Sequence, residues 1–169
     1  MRLRRLLEQN PDSNVAAATL QLVQQLGVPV TSTTVIEQVE SHPDFPSLYS
    51  ISDSLCSWKV ENAAYRIAPE KLDEVPTPFV AYVKSGGGNF VVVESVNGTI
   101  NYTDEEGRKV KAKRDYFLKI WDNTVLLAEK GDASGEKDYA ARKKRQRLQN
   151  VRIPVLAGSA ALLALIYTL

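Results

Sequence analysis

Residues 86–104 read GGGNFVVVESVNGTINYTD, and this stretch predicts a β-hairpin. A glycine-rich segment leads into a valine-rich run that starts at Phe90, and such residues are common in strands. Asn97-Gly98 favours a tight turn, because both residue types tolerate the positive φ angles that a two-residue hairpin turn requires. The return strand then ends at Asp104. The stretch therefore predicts two neighbouring strands of an antiparallel sheet.

Three helices are predicted ahead of this hairpin. The first covers residues 13–26, where the apolar side chains follow helical spacing, and Gly27 ends it. The second is short, at residues 35–39, and the third begins at Ser47. The segment between them, SHPDFPS, is predicted to be a loop because it contains two prolines.

Strand patterns dominate the rest of the domain. Besides the hairpin, strands are predicted at residues 60–67, 78–84, 108–112 and 124–130, with short helical segments at 69–75 and 114–121. Helices that precede an antiparallel sheet define an α+β fold class. We therefore expect N-terminal helices packed on a twisted antiparallel sheet.

The composition excludes several classes of function. With 44% hydrophobic and 24% charged residues, the 169-residue chain is predicted to be globular. A formal net charge of +1 argues against a chain-wide surface for polyanions, so nucleic acid is not a predicted partner. A single cysteine, Cys56, cannot form an internal disulfide, and a single histidine, His42, cannot build a histidine metal site alone. We therefore predict no cofactor and no metal in this chain.

The C-terminal residues 151–169 are predicted to form a transmembrane helix. They carry no charge after Arg152 and would extend about 28 Å as a helix, close to the thickness of a hydrocarbon core. A buried core helix is the alternative, but the segment is apolar on every side. The basic residues within 142–152 are expected to contact lipid and to hold residues 1–150 on the cytoplasmic side of the inner membrane.

These patterns predict that the chain is divided into three parts. Residues 1–130 form the cytosolic domain, residues 131–150 a polar-to-basic linker, and residues 151–169 the membrane span. The span is either a C-terminal anchor or the first span of a longer protein.

A catalytic thiol and imidazole pair could come only from Cys56 and His42. Cys56 follows the apolar positions of the third helix, which predicts a small buried side chain. His42 precedes a proline in the loop and is predicted to be solvated. These positions argue against a catalytic pair. An active cysteine peptidase that uses an unexpected nucleophile remains an alternative.

Three segments resemble the papain-like peptidase domains of bacteriocin-exporting ABC transporters, which cut leader peptides after a double glycine. They are FPSLYSISDSL, LDEVPTPFVAYVKSGGGNFVVVESV and YFLKIWDNTVLLAE, and the resemblance covers about residues 9–129. It implies a papain-like fold. It also places Val15 at the position of the nucleophile, Asn89 at that of the histidine, Asp104 at that of the orienting acid and Gln9 at that of the oxyanion glutamine.

The resemblance thus implies a peptidase-like fold from which the nucleophile and the base have been lost. Val15 has no nucleophilic atom, and Asn89 cannot shuttle a proton near neutral pH. The leading hypothesis is a noncatalytic domain that binds a leader-like peptide in a cleft lined by Gln9, Val15, Asn89 and Asp104. A purely structural cytosolic cap is the other alternative.

The passage SGEKDYAARKKRQRLQNVRIPVLAG resembles a different context. Degenerate bacterial peptidase-like domains of this kind occur ahead of a vitamin K epoxide reductase-like membrane bundle and a thioredoxin domain. This resemblance implies a C-terminal membrane redox module as partner, and a longer protein that is a quinone-linked thiol oxidoreductase. Its redox cysteines would lie beyond residue 169, since the chain contains no Cys-X-X-Cys.

Overall fold

A computed structural model describes residues 14–104 and 107–148. Its helices are α1 (Asn14–Gln25), α2 (Ser32–Glu40), α3 (Leu48–Ser57), α4 (Arg114–Ile120) and α5 (139–148). Its strands are β1 (Val60–Arg66), β2 (Phe79–Val83), β3 (Asn89–Val96), β4 (Thr99–Thr103), β5 (Lys109–Lys113) and β6 (Trp121–Lys130). Short 3₁₀ segments cover Pro69–Glu74 and Ser85–Gly87.

The strands form one antiparallel sheet in the order β1-β6-β2-β3-β4-β5. The last strand, β6, lies between β1 and β2, so the end of the domain is built into the middle of its sheet. The predicted hairpin is β3 and β4, in which Val92 pairs with Thr103. The α+β prediction is confirmed by this arrangement of helices and an antiparallel sheet.

Both faces of the sheet are covered. Helices α1, α2 and α3 share one hydrophobic cluster with Val80, Val92 and Leu126. A second cluster on the other face contains Phe79, Val91, Val93, Phe117 and Trp121. Burial on both faces explains why β3 carries three consecutive valines instead of alternating apolar and polar residues.

Local signals set the helix ends where the sequence predicted them. Gly27 has φ +65° and follows α1 as its terminator. The Thr31 side chain caps α2, and Ser47 and Ser50 form a reciprocal capping box at the start of α3. Helix α2 starts at Ser32, earlier than the predicted residues 35–39, because Thr31 is its capping residue.

The chain after β6 turns and then forms α5, which carries Arg142, Lys143, Lys144, Arg145 and Arg147. Within residues 14–104 and 107–148, no helix has the length and apolar character needed to cross a membrane. The predicted span at residues 151–169 lies outside the described residues. The division into a domain, a linker and a span stays a prediction.

Candidate functional site

The first turn of α1 is fastened to the first residues of β3 by one side chain. The amide of Asn14 donates from Nδ2 to the Phe90 carbonyl at 2.9 Å, and its Oδ1 accepts from the Phe90 backbone N–H at 2.6 Å. Asn14 is 8% exposed, so this paired contact is largely shielded from water. We call these two residues the Asn14–Phe90 clamp. It brings the beginning of α1 to the beginning of β3.

Val15 and Asn89 are sequence neighbours of the clamp: Val15 follows Asn14, and Asn89 precedes Phe90. Val15 is 3% exposed and belongs to the helix-side core cluster. Asn89 pairs with Val83 of β2, and its side-chain Nδ2 donates to the Ser85 carbonyl at 3.4 Å. We call the clamp and these two neighbouring positions the α1–β3 junction. One position holds a packed aliphatic side chain and the other a half-buried amide.

The turn before Asn89 requires glycine. Gly87 and Gly88 have φ values of +92° and +99°. A Cβ on Gly88 would lie 2.0 Å from Oη of Tyr82. Glycine tolerates this backbone and this close approach at low cost. The glycine run therefore sets the path by which the chain enters β3.

Asp104 follows β4 and is bound within its own turn. Its two carboxylate oxygens accept from the backbone N–H and from Nε of Arg108, each at 2.8 Å. Its side chain is 8% exposed. Asn89 and Asp104 are both described, and no hydrogen bond joins their side chains. The fourth candidate, Gln9, lies outside the described residues.

Asp122 of β6 forms ion pairs with Lys84, which lies just before the glycine turn, and with Arg66 of β1. Lys84 Nζ lies 2.7 Å from Asp122 Oδ1, and Arg66 Nη2 lies 3.5 Å from Oδ2. The hydrogen bond from Lys84, opposed by partial desolvation, holds the pKa of Asp122 below its ordinary value. The carboxylate of Asp122 therefore stays ionised.

The predictions for Cys56 and His42 were wrong in their burial. Cys56 is exposed, because the buried face of α3 runs through Ser50, Ile51, Ser54 and Leu55, and a residue five positions after Ile51 points elsewhere. The His42 side chain is only 8% exposed. Its ring packs edge-on against Tyr49, and the ring centroids are 5.5 Å apart.

The two residues also have different partners. His42 Nδ1 accepts from the Asp44 backbone N–H at 3.1 Å, and Nε2 lies 3.3 Å from Asp53 Oδ2. Cys56 Sγ accepts from Asn62 Nδ2 at 3.3 Å. Among the described residues the thiol and the imidazole do not share a hydrogen bond. They do not form a catalytic dyad in this structure.

Sequence reasoning missed Asn14 as a residue of the site. An asparagine at the start of a helix is interpreted as a cap, and its partner lies 76 residues away. Described residues 14–104 and 107–148 also hold no cluster of three His, Cys, Asp or Glu side chains that could bind a metal ion.

The match to a known family covers most of the chain. The Peptidase C39 family matches residues 5–133. The chain belongs to this family. The C39 match has nearly the same limits as the resemblance to bacteriocin-processing peptidases, about residues 9–129. No curated protein sequence matches the chain closely enough to add a relative.

Solved structures of C39-like domains share the fold. A double glycine motif protease from an AMS/PCAT transporter, in complex with the leader peptide, has 18% identity and a TM-score of 0.64. The similarity covers 73% of this chain and 88% of that chain. The peptidase domain of Streptococcus ComA has 13% identity and a TM-score of 0.60, over 73% of this chain and 96% of that chain.

A third structure extends the comparison to a toxin secretion protein. The N-terminal peptidase C39-like domain of an ATP-binding protein from Vibrio parahaemolyticus has 15% identity and a TM-score of 0.56. That similarity covers 73% of this chain and 98% of that chain. At these identities the similarity shows the fold, and the papain-like prediction for residues 14–130 is confirmed at that level.

Proposed function

We propose that this C39 domain binds a leader-like peptide without cutting it, and that it does so while tethered to a membrane. The observation that carries the proposal is the chemistry of the α1–β3 junction. Val15 offers only carbon atoms there, and the Asn89 amide cannot take a proton from a nucleophile near neutral pH. A junction of this kind retains a peptidase-like frame but lacks both reacting groups of a cysteine peptidase.

The rest of the junction favours a stable, preformed surface. The Asn14–Phe90 clamp satisfies the backbone N–H and C=O of Phe90. In the glycine turn before Asn89, the Tyr82 hydroxyl leaves no room for a side chain at Gly88. A surface built from fixed backbone loses little conformational entropy when a ligand binds.

A peptide ligand is supported by the structural neighbour that contains one. The AMS/PCAT transporter protease was solved in complex with the leader peptide. Proteins commonly hold an extended peptide by backbone hydrogen bonds, with side-chain pockets that give specificity. In this chain the peptide would run past Asn89, with Gln9, Val15 and Asp104 as the other candidate lining residues.

The membrane part of the proposal rests on sequence pattern. Residues 151–169 would form the span, and the basic residues of 142–152 would contact anionic lipid, which would leave residues 1–150 in the cytoplasm. The attached partner would be a membrane redox module of the vitamin K epoxide reductase-like type. Deletion of residues 151–169 should move the protein from the membrane fraction to the soluble fraction.

Peptide binding is tested on the full chain in detergent micelles with a fluorescent double-glycine leader peptide. We expect the fluorescence anisotropy of the peptide to rise to saturation as protein is added, and mass spectrometry to detect no cleaved peptide. Asn89→Trp should weaken binding at least tenfold, because the indole would fill the space beside β3. Lys111→Trp is the matched control, since Lys111 is exposed on β5, two strands from β3.

The other outcomes separate the alternatives. Cleavage of the peptide would overturn the proposal, and loss of that cleavage in Cys56→Ala would identify the thiol as nucleophile. Equal affinity in the Asn89→Trp and Lys111→Trp variants would move the binding site away from the junction. Absence of binding in the wild-type protein would favour the structural cap.

A further inference from the structure

The segment that follows β6 is held on the domain through Ser134, Gly135 and Glu136. We call residues 131–136 the strap. Ser134 is buried, and its hydroxyl donates to the Lys59 carbonyl at 2.6 Å while accepting from the Gly131 N–H at 2.9 Å. The Gly135 N–H donates to the Trp58 carbonyl at 2.8 Å. The first part of the strap is thus held on the turn between α3 and β1.

The middle of the strap lies against the loop between α1 and α2. Gly135 has φ +139°, and a Cβ there would lie 2.6 Å from Cγ of Pro29. The Glu136 N–H donates to the Pro29 carbonyl at 3.0 Å. Only a residue without a side chain allows so close an approach at this backbone angle.

The strap ends with the carboxylate of Glu136 at the first turn of α2. Its side chain is 4% exposed. Oε1 accepts from the Thr31 N–H at 2.8 Å, and Oε2 accepts from the Thr34 hydroxyl. A negative charge at a helix N-terminus is favourable, so Glu136 acts as a cap supplied from 105 residues away.

Helix α5 depends on the strap because it makes few contacts of its own. Arg142 Nη1 lies 3.5 Å from the Thr34 hydroxyl, Arg142 Nε lies 3.9 Å from Glu136 Oε2, and Gln146 donates to the Ser32 hydroxyl. Of the α5 side chains, only Tyr139 and Gln146 are half-buried, and the others are exposed. A polar helix of this length is marginal in water without tertiary support.

We infer that Glu136 is a latch that joins α5 to the helical layer, so that α5 and the domain move as one body. Opening the latch releases α5 and removes the Glu136 contacts from the first turn of α2, while the Thr31 cap remains and the sheet stays folded. The coupling is reciprocal, so displacement of α5 loosens the first turn of α2. This inference concerns the joint and does not require that a peptide binds.

Hydrogen exchange on the full chain in detergent micelles tests the latch. Glu136→Ala removes both acceptors, and Gly135→Ala moves the strap away from Pro29 without changing any charge. In both variants we expect the backbone amides of Thr31 and of residues 139–148 to exchange at least tenfold faster than in the wild-type protein. A tenfold change corresponds to about 1.4 kcal/mol in the free energy of local opening. Amides of β2 and β3 should keep their wild-type rates. Glu129→Ala is the control, because Glu129 is exposed at the end of β6.

Three results would overturn the inference. The first is α5 amides that already exchange at unprotected rates in the wild-type protein. The second is a faster Thr31 amide with unchanged rates in α5, which would show that the cap does not hold the helix. The third is a matching acceleration in β2 and β3, because the strap would then be part of the global fold instead of a local joint.

Discussion

Asn14→Ala is expected to lower the free energy of unfolding by about 3 kcal/mol. The substitution removes two hydrogen bonds, of 2.9 and 2.6 Å, and leaves the N–H and C=O of Phe90 without partners. A buried polar group without a partner costs about 1–3 kcal/mol. The variant leaves two such groups, and partial hydration of one of them reduces its cost. The two costs together give the expected loss of about 3 kcal/mol.

Fluorescence provides the assay, because the two tryptophans, Trp58 and Trp121, are both buried. Thermal unfolding of the full chain in detergent micelles should shift by roughly 10 °C, since 1 kcal/mol corresponds to a few degrees for a domain of this size. Asn101→Ala is the matched control. Its amide donates once, at 2.8 Å, to the half-buried Ser95 hydroxyl, so a loss of at most about 1 kcal/mol is expected.

Equal losses in the two variants would refute the reasoning. In that case the clamp would be no stronger than an ordinary hydrogen bond between side chains, and the α1–β3 junction would be held by apolar packing. A loss below about 0.5 kcal/mol in Asn14→Ala would lead to the same conclusion, because surface substitutions have effects of that size.

Three further predictions concern single residues. The hydrogen bond from Lys109, opposed by partial burial, holds the pKa of Glu94 below its ordinary value of 4.5; Glu94→Gln should cost about 1 kcal/mol at pH 7. That difference should be lost as the pH falls below 4.5 through the lowered pKa of the folded state, as denaturant titrations at several pH values can check. Cys56 should react with a maleimide in the native protein, since it is exposed. Gly88→Ala should lower the unfolding temperature by several degrees, because its Cβ would meet Tyr82 Oη at 2.0 Å.

Two of these predictions have a matched control variant, and each has a result that would contradict it. Glu129→Gln should leave the pH dependence of stability unchanged, because Glu129 is exposed. Protection of Cys56 from the maleimide until urea unfolds the protein would contradict its exposure. Gly131→Ala should be nearly neutral, since a Cβ there would meet only Ser134 Oγ at 3.8 Å. A Gly88→Ala variant as stable as Gly131→Ala would show that Tyr82 moves aside at little cost.

Much of the fold was predictable from short stretches. Caps and terminators at Gly27, Thr31 and Ser47 act within one turn of a helix, and the structure places the helix ends there. The hairpin turn at Asn97-Gly98 was also predicted, although of its two residues only Gly98 has a positive φ, of +67°. Cys56 was mispredicted because a free cysteine is usually buried, whereas the buried face of α3 passes one residue before it.

The candidate site was predictable only in its residue types. The sequence shows that Val15 and Asn89 lack the atoms of a nucleophile and a base. It does not show that Asn14 and Phe90 hold the two segments together, since these residues are 76 positions apart. It also does not reveal that the Asp104 carboxylate binds Arg108 within its own turn.

The sequence by itself determined most of the helices, the strands and the hairpin turn. Those features depend on each residue and its near neighbours, so periodicity, caps and turn residues are sufficient to predict them. Only the tertiary structure decided that Asn14 clamps β3 and that Glu136 caps α2. Such contacts join groups far apart in the chain, and they form only because packing on both faces of the sheet compensates the entropy of closing long loops.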